Sequence, residues 1–200
     1  QAIRSILKQS YKNWEIIFWD NCSTDKSCKI INSFKSSKIK YYKSRKITKL
    51  YEARNLAIRK ARGKFISFLD VDDLWLPKKL EKQINLFNKN KKLTLVYTNQ
   101  YLLNDKTNKR SIYSKNILPS GLITQEILDN YKIGILTTLI KKDYFKSESF
   151  NKSREIIGDF EFFVKLSLKK HIGSIQEPLA CFRIHEKNIS RNKTALFLKE

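Results

Sequence analysis

The sequence predicts an α/β sandwich built on a mostly parallel sheet, on three observations. Short apolar runs (WEIIFW, FISFL, LTLVYT) alternate with segments whose apolar residues recur at helical spacing. The chain has 200 residues, enough for one hydrophobic core and too few to require two. It is 41% hydrophobic with 12 Phe, 9 Tyr and 3 Trp, a composition that buries surface rather than staying disordered.

The first half is the more regular. Ala2, Ile3, Ile6 and Leu7 share one helical face. Trp14 to Trp19 reads as a buried strand, and Ser23 or Thr24 is placed to cap a helix running to about Phe34. A strand from Lys38 and a helix from Tyr51 to Gly63 follow, the glycine serving as a stop. FISFL is the next strand. Pro77 suits an early helical position, and Leu80, Ile84 and Phe87 form the buried side of a helix that fades near Asn90. Leu93 to Thr98 is strand-like.

The second half is less periodic. Residues 103–120 are polar and read as a connection, and Thr124 can cap a short helix through Asp129. ILTTLIKK is assigned to a strand, and GDFEFFVKLSLKK, from Gly158, to a helix with Phe160, Phe163, Val164 and Leu168 available for packing. GSIQEPLACFRIH reads as two short strands around Pro178. A single domain, residues 1–200, is expected. The chain opens on a helix where an α/β domain normally opens on a strand.

Composition excludes several classes. The 5 Gly and 3 Pro form no repeat, no apolar run approaches a bilayer span, and the polar N-terminus is no signal peptide, so a soluble protein is expected. Cys22, Cys28 and Cys181 are odd in number and lack metal-site spacing, which favours a reducing compartment without a structural disulfide. The net charge of +22 raises nucleic acid and acidic membranes as partners. The basic residues are scattered, however, and 32 are Lys against 9 Arg, with no basic stripe beside stacking aromatics. No specific nucleic acid partner is expected; a surface that favours anionic ligands or lipid headgroups is.

Two acidic motifs follow predicted strands, where α/β sheets bind ligands: Asp20, and the trio Asp70, Asp72 and Asp73. Carboxylates of this kind suit Mg²⁺ or Mn²⁺, although Asp72 or Asp73 could equally cap the Pro77 helix or make a turn. Asp159 and Glu161 begin a predicted helix, where carboxylates are stabilised; Asp159 is the candidate general base and Glu161 a supporting or solvating residue. His185 follows an apolar strand, open to a metal or phosphate role or to packing, and His171 is read as a helix-end residue.

In order, SILKQSYKNWEIIFWDNCSTD, ARNLAIRKARGKFISFLDVDDLWLPKKLE, GDFEFFVKLS and FRIHEKNIS resemble a family 2 glycosyltransferase, and together they span most of residues 1–190. The resemblance implies the GT-A fold, a doubly wound, mostly parallel nucleotide-diphospho-sugar domain. Residues 1–100 would bind the nucleotide sugar, and residues 101–200 would carry the acceptor site and base. The implied reaction is metal-dependent, inverting transfer from a donor such as a UDP-sugar to a glycan or lipid-linked saccharide. A cytoplasmic protein is expected, with a basic surface able to hold it peripherally at the inner face of the cell membrane. Such enzymes build polysaccharides and lipopolysaccharide. By position, Asp20 resembles the residue that reads the donor base. Arg54 and Asn55 lie near the donor, with Arg54 able to meet phosphate, and Asp70 meets the ribose or supports the metal. Asp72 matches the main ligand of Mg²⁺ or Mn²⁺ and Asp73 an adjacent supporting acid. Asp159 matches the base, and His185 matches a late histidine that reaches metal or diphosphate. The family's opening strand and proline-containing loop have no counterpart here, which reads as an N-terminally truncated domain and raises the alternative of a non-catalytic nucleotide-sugar-binding homologue. Asn21 and Cys22 break the usual DDGS pattern, Ala57 stands where glycine is common, and Gly158 replaces an acid often found before the base.

Overall fold

The computed structural model describes residues 1–186, 188 and 199–200. Helix α1 (Ala2–Leu7) leads to strand β1 (Ile16–Asp20), α2 (Ser27–Ser33), β2 (Ile39–Lys43) and α3 (Leu50–Lys60). β1 and β2 pair in parallel as a sheet of their own, Ile16 opposite Ile39 and Asp20 opposite Lys43, with α2 as the crossover.

The remaining elements are β3 (Phe65–Ile66), β4 (Leu74–Trp75), α4 (Lys79–Lys89), β5 (Leu93–Asn104), β6 (Arg110–Ile112), α5 (Thr124–Asp129), β7 (Leu139–Lys141), α6 (Gly158–Ser167) and β8 (His171–Ile184). Their strands form a six-stranded sheet in the order β3-β7-β5-β8-β4, with β6 paired to β5.

This arrangement corrects the expectation of a doubly wound, mostly parallel sheet. Within the six-stranded sheet only β5 and β8 run parallel; β3·β7, β4·β8, β5·β6 and β5·β7 are all antiparallel. The reason is physical. An apolar run reports that a strand is buried but not which way its neighbour runs, and β4, β6 and β7 are two or three residues long. β6 returns on β5 through a short turn instead of a helical crossover.

Several boundaries move for similar reasons. FISFL contributes only Phe65–Ile66 to the sheet. The expected pair of strands around Pro178 is one 14-residue strand, whose register shifts beside Asn99, the residue opposite Pro178. A proline cannot donate to the ladder, so an irregularity at that point lets the strand continue. Residues 103–120 contain β6 and are not purely a connection. Neither Ser23 nor Thr24 caps α2; its N-cap is Lys26, and Asp25 accepts a bond from the Ser27 amide. Thr124 is the first residue of α5 and not its cap, and His171 begins β8 instead of ending a helix.

Two apolar clusters hold the molecule. One joins α3, β5, α5 and α6 through Tyr51, Ile58, Leu95, Ile127, Phe162 and Phe163. The other packs α4 on the sheet through Trp75, Leu80, Phe87, Val96 and Leu139. Between the two sheets lies a cavity of about 1210 Å³, apolar at the level of Ile16, Phe18 and Ala57 and acidic where the segment after β3 crosses it.

Candidate active site

The acidic wall of the cavity is made by Asp70, Asp72 and Asp73, with Arg54, Tyr51 and Asp159 facing the same space. They arrive on three separate segments: α3, the stretch between β3 and β4, and α6. Tyr51 and Arg54 are three residues apart on α3, hence on one helical face. Asp159 opens α6, where the helix end favours a carboxylate.

Arg54 is 8% exposed, and its Nη2 reaches Asp70 Oδ2 at 3.1 Å. The rings of Tyr51 and Phe68 stand 5.3 and 5.9 Å from the guanidinium carbon. Burial alone would weaken its hold on the proton; the charge and hydrogen bond of Asp70, with Tyr51 and Asp159 nearby, together outweigh this and raise its pKa. Asp70 keeps about half its side-chain surface exposed at 49%, so its carboxylate can still accept from a ligand.

Asp72 Oδ2 lies 2.8 Å from His185 Nε2, which joins the two candidate metal ligands across more than a hundred residues of sequence. Arg183 fixes this meeting. Its Nε donates to the Asp72 carbonyl at 2.8 Å and its amide to Asp73 Oδ1 at 2.9 Å. Asp73 is 2% exposed, and burial, opposed by that amide bond, pushes its carboxyl up to about 7. The cap reading fails for both acids: the N-cap of α4 is Lys78, with no side-chain cap bond.

Asp159 is enclosed. Tyr51 Oη is 3.0 Å from Oδ1, and the Phe160 amide donates to the same oxygen at 2.9 Å. Burial raises its pKa, with the Arg54 charge and the Tyr51 bond acting the other way. Glu161 has different partners, bonding Lys165 at 2.7 Å and Arg154 at 2.9 Å, and this outward ion pairing suits support rather than chemistry.

Two expected donor residues occupy other positions. Asp20, 2% exposed, accepts from Tyr41 Oη and from the Ser23 amide at 2.7 Å; its burial is outweighed by these bonds and its pKa is lowered. Its neighbour Asn21 lines the cavity and binds Thr48 through both ends of its amide. Asn55 lies outside the cavity lining and clamps the Phe150 backbone, donating at 2.8 Å and accepting at 3.1 Å.

The sequence model described as Glycosyl transferase family 2 matches residues 1–151. The chain belongs to that family. This family 2 glycosyltransferase domain is 32% identical over 196 residues to an Escherichia coli protein named UDP-Glc:alpha-D-GlcNAc-diphosphoundecaprenol beta-1,3-glucosyltransferase WfgD, covering 96% of the chain and 74% of the relative. The E. coli glucosyltransferase of the same description, WfaP, is 41% identical over 104 residues, 52% of this chain and 41% of WfaP. Among solved structures, S. aureus TarS in complex with UDP superposes with a TM-score of 0.76 at 18% identity, covering 92% of this chain and 55% of TarS. The glycosyltransferase chain thus spans about half of TarS and less than half of WfaP.

Among the described residues no group of three His, Cys, Asp or Glu converges as a metal site. A metal shared with substrate needs less. Asp72 and His185 present an oxygen and a nitrogen 2.8 Å apart. That spacing is close to the roughly 3 Å edge of an octahedron with bonds of about 2.1 Å. Mg²⁺ and Mn²⁺ commonly complete their shells with water and phosphate, so the residues present fit such an ion.

Two residues of the glycosyltransferase site escaped sequence reasoning, and both had a signal. Tyr51 is one helical turn before Arg54. Arg183, near the end of β8, is two residues before His185.

Proposed function

We propose that this domain catalyses metal-dependent, inverting transfer of a sugar from a UDP-sugar to a hydroxyl of a lipid-linked saccharide. The observation that carries it is one cavity lined by both Asp72, whose carboxylate meets His185 from outside the lining, and the half-buried carboxylate of Asp159. UDP-glucose as donor and a GlcNAc-diphosphoundecaprenol acceptor follow from the names of WfgD and WfaP.

In this reading Asp72 and His185 would hold Mg²⁺ or Mn²⁺ at the donor site. When bound, the ion supplies positive charge that stabilises the departing nucleotide. Asp70 accepts from the ribose hydroxyls, and Arg54 behind it offsets the negative charge that the donor brings. Asn21 lines the base end of the pocket, Asp20 acts there through the turn it holds behind that residue, and Asn55 contributes by fixing Phe150. Asp159 removes the proton from the acceptor hydroxyl as its oxygen attacks the anomeric carbon, and the bond to diphosphate breaks on the opposite face. Its burial makes it a stronger base than an exposed aspartate.

The net charge of +22 supports a position at the inner, anionic face of a membrane, beside a lipid-linked acceptor. No described helix is long and apolar enough to cross a membrane. Glucose transfer from UDP-glucose to GlcNAc-diphosphoundecaprenol, followed in wild type and D159N, tests the mechanism. The variant is expected to lose at least a hundredfold in kcat while donor KM is retained; unchanged turnover would remove the base role.

A further inference from the structure

Tyr51 is 2% exposed, and its hydroxyl sits between two acceptors: the Ile156 carbonyl at 2.7 Å and Asp159 Oδ1 at 3.0 Å. A phenol has a single proton to donate and lone pairs with which to accept. The carbonyl can only accept. When Asp159 is ionised, both neighbours compete for that proton. When Asp159 is protonated, it can donate to Tyr51, which donates in turn to Ile156, and every group in the row is satisfied.

We propose that Tyr51 is a positioning residue for Asp159, its hydroxyl turning between the carboxylate and the Ile156 carbonyl as the base gains and loses its proton. The catalytic consequence rests on the base reading above; the linkage itself does not.

The surroundings are built for a fixed ring and a turning hydroxyl. The Tyr51 ring packs 5.5 Å from Phe150 at a 39° tilt and lies beneath Arg54. A Cβ at Gly158 would fall 2.6 Å from Tyr51 Cδ2 and 2.7 Å from Cε2, so the space that glycine leaves is the space this ring fills. The Ile156 carbonyl is also held. The amides of Glu155, Ile156 and Ile157 all donate to the Glu200 carboxylate, at 2.7, 3.1 and 3.2 Å.

The groups facing Asp159 are Tyr51 and Arg54 from α3, the Phe160 amide from its own helix, and the buried hydroxyl of Tyr131 after α5. The Tyr51 bond, at 3.0 Å, is charge-assisted and favours the ionised carboxylate. Removing it therefore makes Asp159 hold its proton more tightly.

The test is a carboxyl ¹³C titration of the full chain, with the Asp159 signal assigned by its loss in D159N. In Y51F the midpoint is expected about one pH unit higher, a tenfold change in proton affinity; an unchanged or lower midpoint overturns the proposal. If Y51F fails to fold, the wild type decides: the Tyr51 Cζ shift is expected to titrate with the Asp159 midpoint, and a flat Cζ shift overturns it. Turnover that survives D159N would remove the base role and leave this result standing, so the two failures are distinguishable.

Discussion

At the scale of single residues, the site depends on exchanges of space as much as on charge. Gly158 stands where a larger residue would meet the Tyr51 ring, because α6 begins directly against α3. Helix propensity alone would favour alanine there by about 1 kcal/mol. Overpacking costs about 1–3 kcal/mol, and the contact would be with a buried ring rather than a flexible chain end. We therefore expect Gly158→Ala to destabilise the protein by up to about 2 kcal/mol net in urea denaturation; a stabilised variant would show that the ring can withdraw. The carboxylates were legible in sequence because acids that follow apolar runs stand out. Tyr51 was not, because a tyrosine on an apolar helix face looks like core, which most of its ring is. What sequence could not supply was the contact with Asp159, a pairing across more than a hundred residues.

At the scale of elements, α4 is fastened by a lysine in the core. Lys79 is fully buried, and its Nζ donates to Gln83 Oε1 at 2.9 Å and Ser67 Oγ at 3.1 Å, 4.1 Å from the Trp75 ring centre. Gln83, one turn on, donates to the carbonyls of Val96 and Thr137, so the same helix face binds β5 and the turn before β7. Sequence reading placed α4 well, because Leu80, Ile84 and Phe87 repeat at helical spacing. It missed the face carrying Lys79 and Gln83, since polar residues normally mark the solvent side. Burial drives the Lys79 amine well below its ordinary 10.5. The unfolded chain then binds more protons than the folded one in the window beneath that value, so stability grows as pH rises through it. Melting temperature is expected to climb between about pH 7 and 10 in wild type, with a flatter climb in Lys79→Met. Parallel slopes would mean that the amine stays charged in the core.

At the scale of the molecule, sheet direction and net charge taught opposite lessons. The α/β alternation was readable, and β1 and β2 with their crossover helix follow it. The direction of the larger sheet was not, because two-residue strands such as β3 and β4 carry too little pattern and pair only through partners distant in sequence. Net charge needs no fold to be read. The +22 comes from 41 Lys and Arg against 19 Asp and Glu, while the cavity wall carries an acidic trio in Asp70, Asp72 and Asp73. A field of this kind draws the molecule to an anionic surface without choosing an orientation. Exposed apolar residues such as Ile47, at 77%, and Ile117, at 85%, could then settle among headgroups. The two contributions separate by salt, since charge attraction is screened within about 10 Å at 0.1 M while apolar contact is not. In flotation with vesicles of phosphatidylglycerol and phosphatidylcholine, binding is expected to rise with the anionic fraction and to fall at least tenfold between about 0.05 and 0.5 M salt. Binding that ignores the anionic fraction would sink the electrostatic account and point to the apolar residues instead.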